Sequence, residues 1–385
     1  MTKKLYDLDS HLRVFSAALL SCAPAGEDRW HILLDQTAFF PEGGGQPADT
    51  GVLTAGDTSV RVLDAQETPE GILHLTDGPL PSGPVEGTID WEQRFARMQC
   101  HSGEHIISGL AHNKFGCTNV GFHMGEDAVI LDFDRELDAA QLREIEDEAN
   151  RIIWENRPIT AEYPDPAVLA DLDYRSKLDL TENVRIVTIE GCDLCACCAP
   201  HVSLTGEIGL VKLTSFMRHR GGVRIWMLAG RQALADYQAK HDSVAAISAA
   251  LSVKQPEVAQ GVERLKQVLA DTEFALTGAK RALAAEKIRA MPETPGNLCL
   301  FEEGLDPNTL RSLVNAGVEK CGGICAAFTG SDEAGYRYVM GSRTVDLRAE
   351  SKVIHAALGG KGGGQPAMIQ GSVPAKRAEI EAYFA

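Results

Sequence analysis

The 385-residue sequence has no apolar run approaching the ~20 residues that a bilayer-spanning helix needs, which excludes an integral helical membrane protein. It also lacks a secretory leader pattern. Lys3 and Lys4 are soon followed by Asp7 and Asp9, and no apolar core ends in a small-residue cleavage site, so a cytoplasmic location is expected. Positive charge is in short supply, with 37 Lys and Arg against 54 Asp and Glu, and the deficit is local. Residues 1–230 hold 19 basic and 36 acidic residues while residues 231–385 hold 18 of each, so the whole net charge of −17 lies in the first part. Bulk electrostatics therefore do not draw this chain onto a polyanion. Such a partner has to be met by local patches such as Arg218, His219, Arg220 and Arg224.

At ~150 residues per domain the length predicts two or three domains. Residues 1–90 read as an all-β unit, a small barrel or sandwich: Val14–Leu20, Trp30–Leu34, Val60–Val62 and Ile72–Leu75 are apolar or alternating segments between Gly, Pro and Asp clusters. Residues 91–230 read as α+β. A helix from Trp91 to about His112 precedes a strand at Ala128–Phe133 and an amphipathic helix at Leu137–Glu155, and strands follow at Val184–Ile189, Leu210–Thr214 and Gly222–Leu228. Residues 231–291 contain only Gly261 and Gly278 as glycines and predict a helical hairpin hinged near Ser252–Pro256. Its second helix carries a narrow apolar seam, Val258, Val262, Leu265, Leu269, Thr272, Leu276, Ala279 and Leu283, which needs either the first helix or a second subunit as cover. After a Pro/Gly linker, residues 297–385 predict a small α/β domain, with strands at Leu298–Phe301, Ile324–Phe328 and Tyr336–Gly341 and helices at Pro307–Ala316 and Lys352–Leu358.

Two short motifs carry metal chemistry. His101 and His105 stand one helical turn apart, where both imidazoles reach one ion, and Cys197 and His201 add a thiolate and a third imidazole across a turn containing Pro200. Thiolate with imidazole selects zinc over magnesium or calcium. Cys192, Cys195 and Cys198 are either competing ligands, holders of a separate ion, or small apolar residues. Two glycine-rich stretches stand apart. Gly43–Gly45 requires positive φ or close approach by another group, a ligand included; Gly359–Gly371 reads as an exposed loop in which Lys361, Gly362 and Gly363 suit a phosphate contact. No Gly-Lys-Ser/Thr occurs in the second stretch, so it is not a P-loop.

Taken together, Phe39–Gly51, the His101/His105 pair, the Cys197/His201 pair followed by Thr205–Gly209, and Gly359–Gly371 resemble, in order, the motifs of free-standing alanyl-tRNA editing proteins of the AlaX type in their long form. These are similar to the editing and C-terminal parts of alanyl-tRNA synthetases. The resemblance implies a β-barrel, a zinc-containing editing domain of the threonyl/alanyl-tRNA synthetase second-additional-domain type, and a synthetase-like C-terminal domain. It implies zinc as cofactor and hydrolysis, in trans, of serine or glycine esterified to alanine tRNA. An aminoacyl ester is already activated, so one metal-polarised water suffices as nucleophile, though zinc serving only to orient the substrate remains an equal alternative. It further implies a polar residue after the His pair that recognises the serine hydroxyl, for which Thr118 is the candidate, with Gln46 and Arg224 as further substrate contacts. The sequence departs from the family in placing Cys198, Ala199 and Pro200 between Cys197 and His201. The acidic first part implies that the tRNA body is bound by the helical and C-terminal parts. A homodimer through either of these is also compatible.

Two alternatives stand beside this one. His101-Ser-Gly-Glu-His105 fits the H-x-x-E-H protease pattern with Glu104 as general base, in which case Glu104→Gln abolishes activity, whereas editing tolerates it. The other is a zinc-stabilised tRNA-binding module without catalysis.

Overall fold

The computed structural model describes residues 2–26, 28–125, 127–176 and 183–385, in two compact units, Met1–Ala245 and Ala246–Ala385. In the first unit, β1 (Lys3–Lys4) pairs in parallel with β4 (Gln36–Thr37) beside a closed barrel. The barrel runs β2 (Val14–Gly26), β3 (Arg29–Leu34), β7 (Gly71–Thr76), β6 (Thr58–Thr68), β5 (Gly51–Ala55) and β8 (Pro84–Ile89), and closes from β8 to β2. Period-two alternation sends Ile32, Leu34, Leu53, Val60, Val62, Val85 and Ile89 inward, so the barrel excludes water with few aromatics. The expected barrel is therefore present. β5 and β8 were not predicted, because β8 contains Pro84 and Gly87 and β5 is five residues long.

α1 (Trp91–Phe115) starts at the Asp90 cap and stops at left-handed Gly116. Residues Met98 to Ala111 are buried all round, because β9 (Asn119–Met124), β10 (Val129–Phe133), α2 (Ala139–Trp154), β13 (Asp193–Ala196) and β15 (Gly222–Ala229) all pack against it. β14 (Val211–His219), β15, β10 and β9 form a four-stranded antiparallel sheet, and β11 (Ile159–Glu162), β12 (Ile186–Ile189) and β13 a three-stranded one; α3 (Pro166–Asp171) lies between β11 and β12 in the chain. The expected segments 1–90 and 91–230 thus share one compact unit. Their joint is a buried ion pair. Asp49, from the loop after β4, takes the Nε and Nη2 of Arg94 on α1, and both side chains are at most 1% exposed. Arg94 also donates to the carbonyls of Ser10 and Ala38, and Asp49 accepts the Phe40 amide.

α4 (Gly230–Leu251) leads out of this unit and α5 (Val258–Ala290) follows a single 3-10 turn, which places the expected hinge where Pro256 interrupts the helix. Within the second unit, Leu265, Leu269, Leu276 and Leu283 of the α5 seam are all left more than half exposed. Both ends of α5 are covered: Gly261 is buried beside Leu251 and Val253, and Ala284, Ile288 and Met291 pack on Leu313 of α6 (Pro307–Gly317). The second unit is completed by a sheet ordered β16 (Leu298–Phe301), β17 (Ile324–Ser331), β18 (Gly335–Ser342), β20 (Met368–Val373) and β19 (Lys361–Gln365), with α7 (Leu347–Leu358) and α8 (Arg377–Phe384). The stretch expected as a glycine loop is instead the β19–β20 hairpin, and Lys361, Gly362 and Gly363 occupy the exposed edge strand. Bare backbone is needed there, since a Cβ on Gly362 would meet the Tyr338 hydroxyl at 2.6 Å. No helix among the described residues is long and apolar enough to cross a membrane.

Two predictions follow from the barrel and its joint. His74 is wholly buried, held by Thr37 Oγ1 at 2.8 Å and the Ile32 carbonyl at 3.1 Å, and burial pushes its pKa from 6.5 to about 4. As pH falls the unfolded chain binds this proton first, so the contribution is complete above pH 6.5 and is lost on the way down to about pH 4, worth about 3 kcal/mol. Denaturant midpoints across that window fall more steeply for the wild type than for His74→Gln; parallel profiles contradict this. Asp49→Ala leaves a buried guanidinium unpaired and costs about 3–5 kcal/mol by the same measurement.

Candidate functional site

The triple glycine is a tight turn. Gly44 and Gly45 have φ of +59° and +81°, and Gly43 and Gln46 exchange both backbone hydrogen bonds, at 3.0 and 3.1 Å. It also meets the close-approach condition, but the neighbour is Phe122 of β9, whose ring would lie 2.6 Å from a Cβ on Gly45. The turn delivers Gln46 into the interior, fully buried, with Oε1 3.0 Å from His101 Nδ1. The α1 spacing puts His105 on the same face, and the turn after β13 brings Cys197 and His201 to it.

The four donor atoms of His101, His105, Cys197 and His201 lie within 4.8 Å of one another. Cys197 Sγ is 3.5 Å from His101 Nε2 and 3.4 Å from His201 Nε2. Each imidazole is anchored from behind through Nδ1: His101 on Gln46, His105 on Asp193 Oδ2 at 2.9 Å, and His201 on Ser102 Oγ at 3.1 Å. Gln46 Oε1 and Asp193 Oδ2 only accept, so Nδ1 of His101 and of His105 carries a proton, while the Ser102 hydroxyl can serve His201 either way; all three anchors leave Nε2 to face an ion. Asp193 is itself gripped by Arg175 at 2.6 and 2.8 Å, and Gly109 lets it approach, since a Cβ there would sit 2.9 Å from that of Asp193. Arg185 holds the ligand turn by donating to the carbonyls of Cys197, at 3.1 Å, and Ala199, at 2.9 Å.

The electrostatics agree with a cation at the centre. Burial pushes the Cys197 thiol up, but the charge of His101 and hydrogen bonds from the three imidazoles outweigh it and hold the thiol well below its usual 9.0. Burial likewise opposes charge on His105, and the bond to Asp193 outweighs it, so that its pKa stands well above 6.5. Burial and repulsion from His105 push His201 down to about 3, leaving it neutral. The group stabilises a thiolate by holding positive charge beside it, charge that a divalent metal supplies in its stead. The donor set therefore fits a thiolate- and imidazole-binding metal.

The remaining candidates separate. Glu104, 5% exposed, lines a cavity of about 540 Å³ beside the four donors, with Oε1 held by Ser108 Oγ at 2.5 Å and Asn119 Nδ2 at 2.6 Å. Thr118 is on the same wall and exposed. Asn119, Asp193, Arg175 and Arg185 were missed, as their partners can lie far away in the chain, 88 residues for Asp193 and His105. Arg224 is not brought to the cavity: its guanidinium forks onto Asp132 at 2.7 Å, across the β10–β15 pair. Lys361, Gly362 and Gly363 belong to the second unit. Of the ambiguous cysteines, Cys192 is core, its thiol raised to about 12 by burial; Cys195 sits beside His105 and Asp193 in a second possible ligand group; Cys198 is exposed, next to the glycine turn.

Family comparison places this site. Residues 16–92 match tRNA synthetases class II (A), and residues 184–225, which include Cys197 and His201, match the threonyl and alanyl tRNA synthetase second additional domain. Both matched segments lie in the first unit. The chain is 26% identical to the alanyl-tRNA editing protein AlaX-L of Pyrococcus horikoshii, covering 99% of this chain and 96% of that one, and 26% identical to the alanyl-tRNA editing protein Aarsd1 of Mus musculus, covering 98% and 96%. It is 33% identical to the alanine–tRNA ligase of Methanoregula boonei over 97% of this chain but 42% of the ligase. Its likeness to the AlaX-type alanyl-tRNA editing proteins runs over nearly the whole of both chains, whereas it spans less than half the length of the alanine–tRNA ligases it matches.

Metal analysis tests the donor group directly. The wild type is expected to hold one transition-metal ion, Cys197→Ala none, and Asp193→Asn to bind it about 10–100-fold more weakly in chelator competition. Full metal content in Cys197→Ala contradicts the assignment.

Proposed function

We propose that this protein is a trans-editing hydrolase that removes serine, and more slowly glycine, from mischarged alanine tRNA at a zinc site formed by His101, His105, Cys197 and His201. The observation that carries this is the convergence of those four donors, each imidazole oriented from behind, beside one cavity that His101, His105 and Cys197 line. The names of the full-length relatives, alanyl-tRNA editing proteins, support the substrate class. When bound, zinc supplies Lewis acidity, which polarises an ester carbonyl and lowers the pKa of water.

The chain's own residues do the rest. The substrate carries an α-ammonium, and Glu104, its carboxylate fixed by Ser108 and Asn119, is the buried acidic group of the cavity wall that offsets this charge. The ester carbonyl is then turned toward the donor group. Thr118 at the wall offers a hydroxyl to the serine side chain. Gln46 has a role other than direct substrate contact, that of holding His101. Water attacks the carbonyl carbon, the bond to the ribose oxygen breaks, and that oxygen takes up a proton, releasing free serine and intact tRNA. Residues 231–385, which carry 18 basic and 18 acidic side chains, are assigned to the tRNA body, with Lys361, Gly362 and Gly363 on an exposed edge strand as contacts.

The protease alternative asks for a carboxylate third ligand, whereas the donor set here is completed by Cys197 and His201. A deacylation assay on alanine tRNA charged with serine, glycine or alanine decides between them. Seryl ester is expected to be cleaved fastest and alanyl ester slowly, and Cys197→Ala to lose zinc and activity together. Glu104→Gln is expected to raise KM and retain measurable turnover. Alanyl ester cleaved as fast as seryl ester overturns the editing role.

A further inference from the structure

The ligand turn from Cys197 to His201 lies between β13 and the 3-10 turn Thr205–Ile208, outside any helix or strand, so its carbonyls need partners from elsewhere. Side chains supply them at alternate positions. Arg185 takes the carbonyls of Cys197 and Ala199, and the hydroxyl of Ser10 donates to the carbonyl of His201 at 2.8 Å. Ser10 belongs to the loop that leads into β2, 191 residues away in the chain. It is pinned there in turn, since its own carbonyl accepts Arg94 Nη1 at 3.1 Å. A path of hydrogen bonds thus runs from the buried Asp49–Arg94 pair through Ser10 to one of the four donor residues.

The next residue grips the chain beyond the turn. His11 Nε2 is 2.7 Å from Glu207 Oε2, and its ring centroid lies 5.5 Å from that of Trp91, in the first turn of α1. Glu207 completes the hold by accepting the Leu204 amide at 3.1 Å and, on its own carbonyl, Gln99 Nε2 at 2.8 Å. One loop therefore holds the His201 segment at two points, while Ser102 of α1 holds the imidazole itself.

We propose that Ser10 is a positioning residue of the donor group: its hydroxyl fixes the His201 backbone so that the imidazole meets an ion without rearrangement, and His11 on Glu207 keeps the following chain from swinging away. This rests on the metal reading above. A donor whose main chain is held in place loses its ion more slowly than one that has to be reoriented at each encounter.

The probe is Co2+ in place of zinc in the full-length protein; thiolate-to-cobalt absorption reports the geometry, and its decay under excess EDTA the release rate. Ser10→Ala is expected to release cobalt about 10-fold faster than the wild type, with a shifted spectrum. Ser10→Thr, which keeps the hydroxyl, is expected to release it at close to the wild-type rate, and His11→Ala, which leaves Ser10 in place, to accelerate release less than Ser10→Ala. Unchanged release from Ser10→Ala, equal acceleration in its Ala and Thr variants, or a wild-type spectrum in an Ala variant that releases faster each overturns the positioning role. If Ser10→Ala does not fold, wild-type release from His11→Ala overturns it instead. Wild-type protein that takes up no cobalt sinks the metal reading and this proposal with it, whereas uptake indifferent to both positions sinks only the positioning role. Release that depends on Ser10, in a protein that deacylates no mischarged tRNA, sinks the editing function alone.

Discussion

The buried pair of Asp49 and Arg94 sets the geometry on which everything else in the first unit depends. Two charges withdrawn from water are tolerable only because each is hydrogen-bonded further, Arg94 to two carbonyls and Asp49 to an amide. Their joint fixes the start of α1 against the loop that precedes β5. That same loop carries Gln46, and α1 seven residues further along carries His101, so the ion pair decides whether amide and imidazole meet.

From there the site is built outward in shells of decreasing rigidity. The three imidazoles receive separate anchors from a barrel loop, a strand and α1 itself. The thiolate turn is tied by Arg185, and Arg185 is steadied by Asp7. A single helix spacing supplies two donors, but no one element supplies the site. The glycine turn, which looks like a ligand cradle, contributes by allowing Phe122 to lie against it and by aiming one glutamine inward.

Much of this was legible in the order of residues. His101 with His105 and Cys197 with His201 announce themselves as a candidate donor group because short, fixed spacings suit metal ligation, and alternation or helical periodicity marked most core strands and helices. The misses have physical causes. β8 and β19 hide because Pro84, Gly87 and Gly362–Gly364 are poor strand formers that long-range packing makes admissible. Asp193, Asn119 and Arg175 have partners that only the tertiary fold brings near. Arg224 lies away from the cavity, paired with Asp132 opposite it in the sheet, a neighbour that the order of residues does not reveal. The α5 seam predicted a cover, either the first helix or a second subunit, and its leucines are left exposed within the second unit.

The donors and their anchors extend from Gln46 to His201, a span of 155 residues. During synthesis the barrel and α1 emerge long before the thiolate does, so a nascent chain exposes two imidazoles with no means of closing the ring of ligands. A metal held by all four donors would thereby be captured only once the domain has essentially finished folding, and its loading would be a report on completed topology.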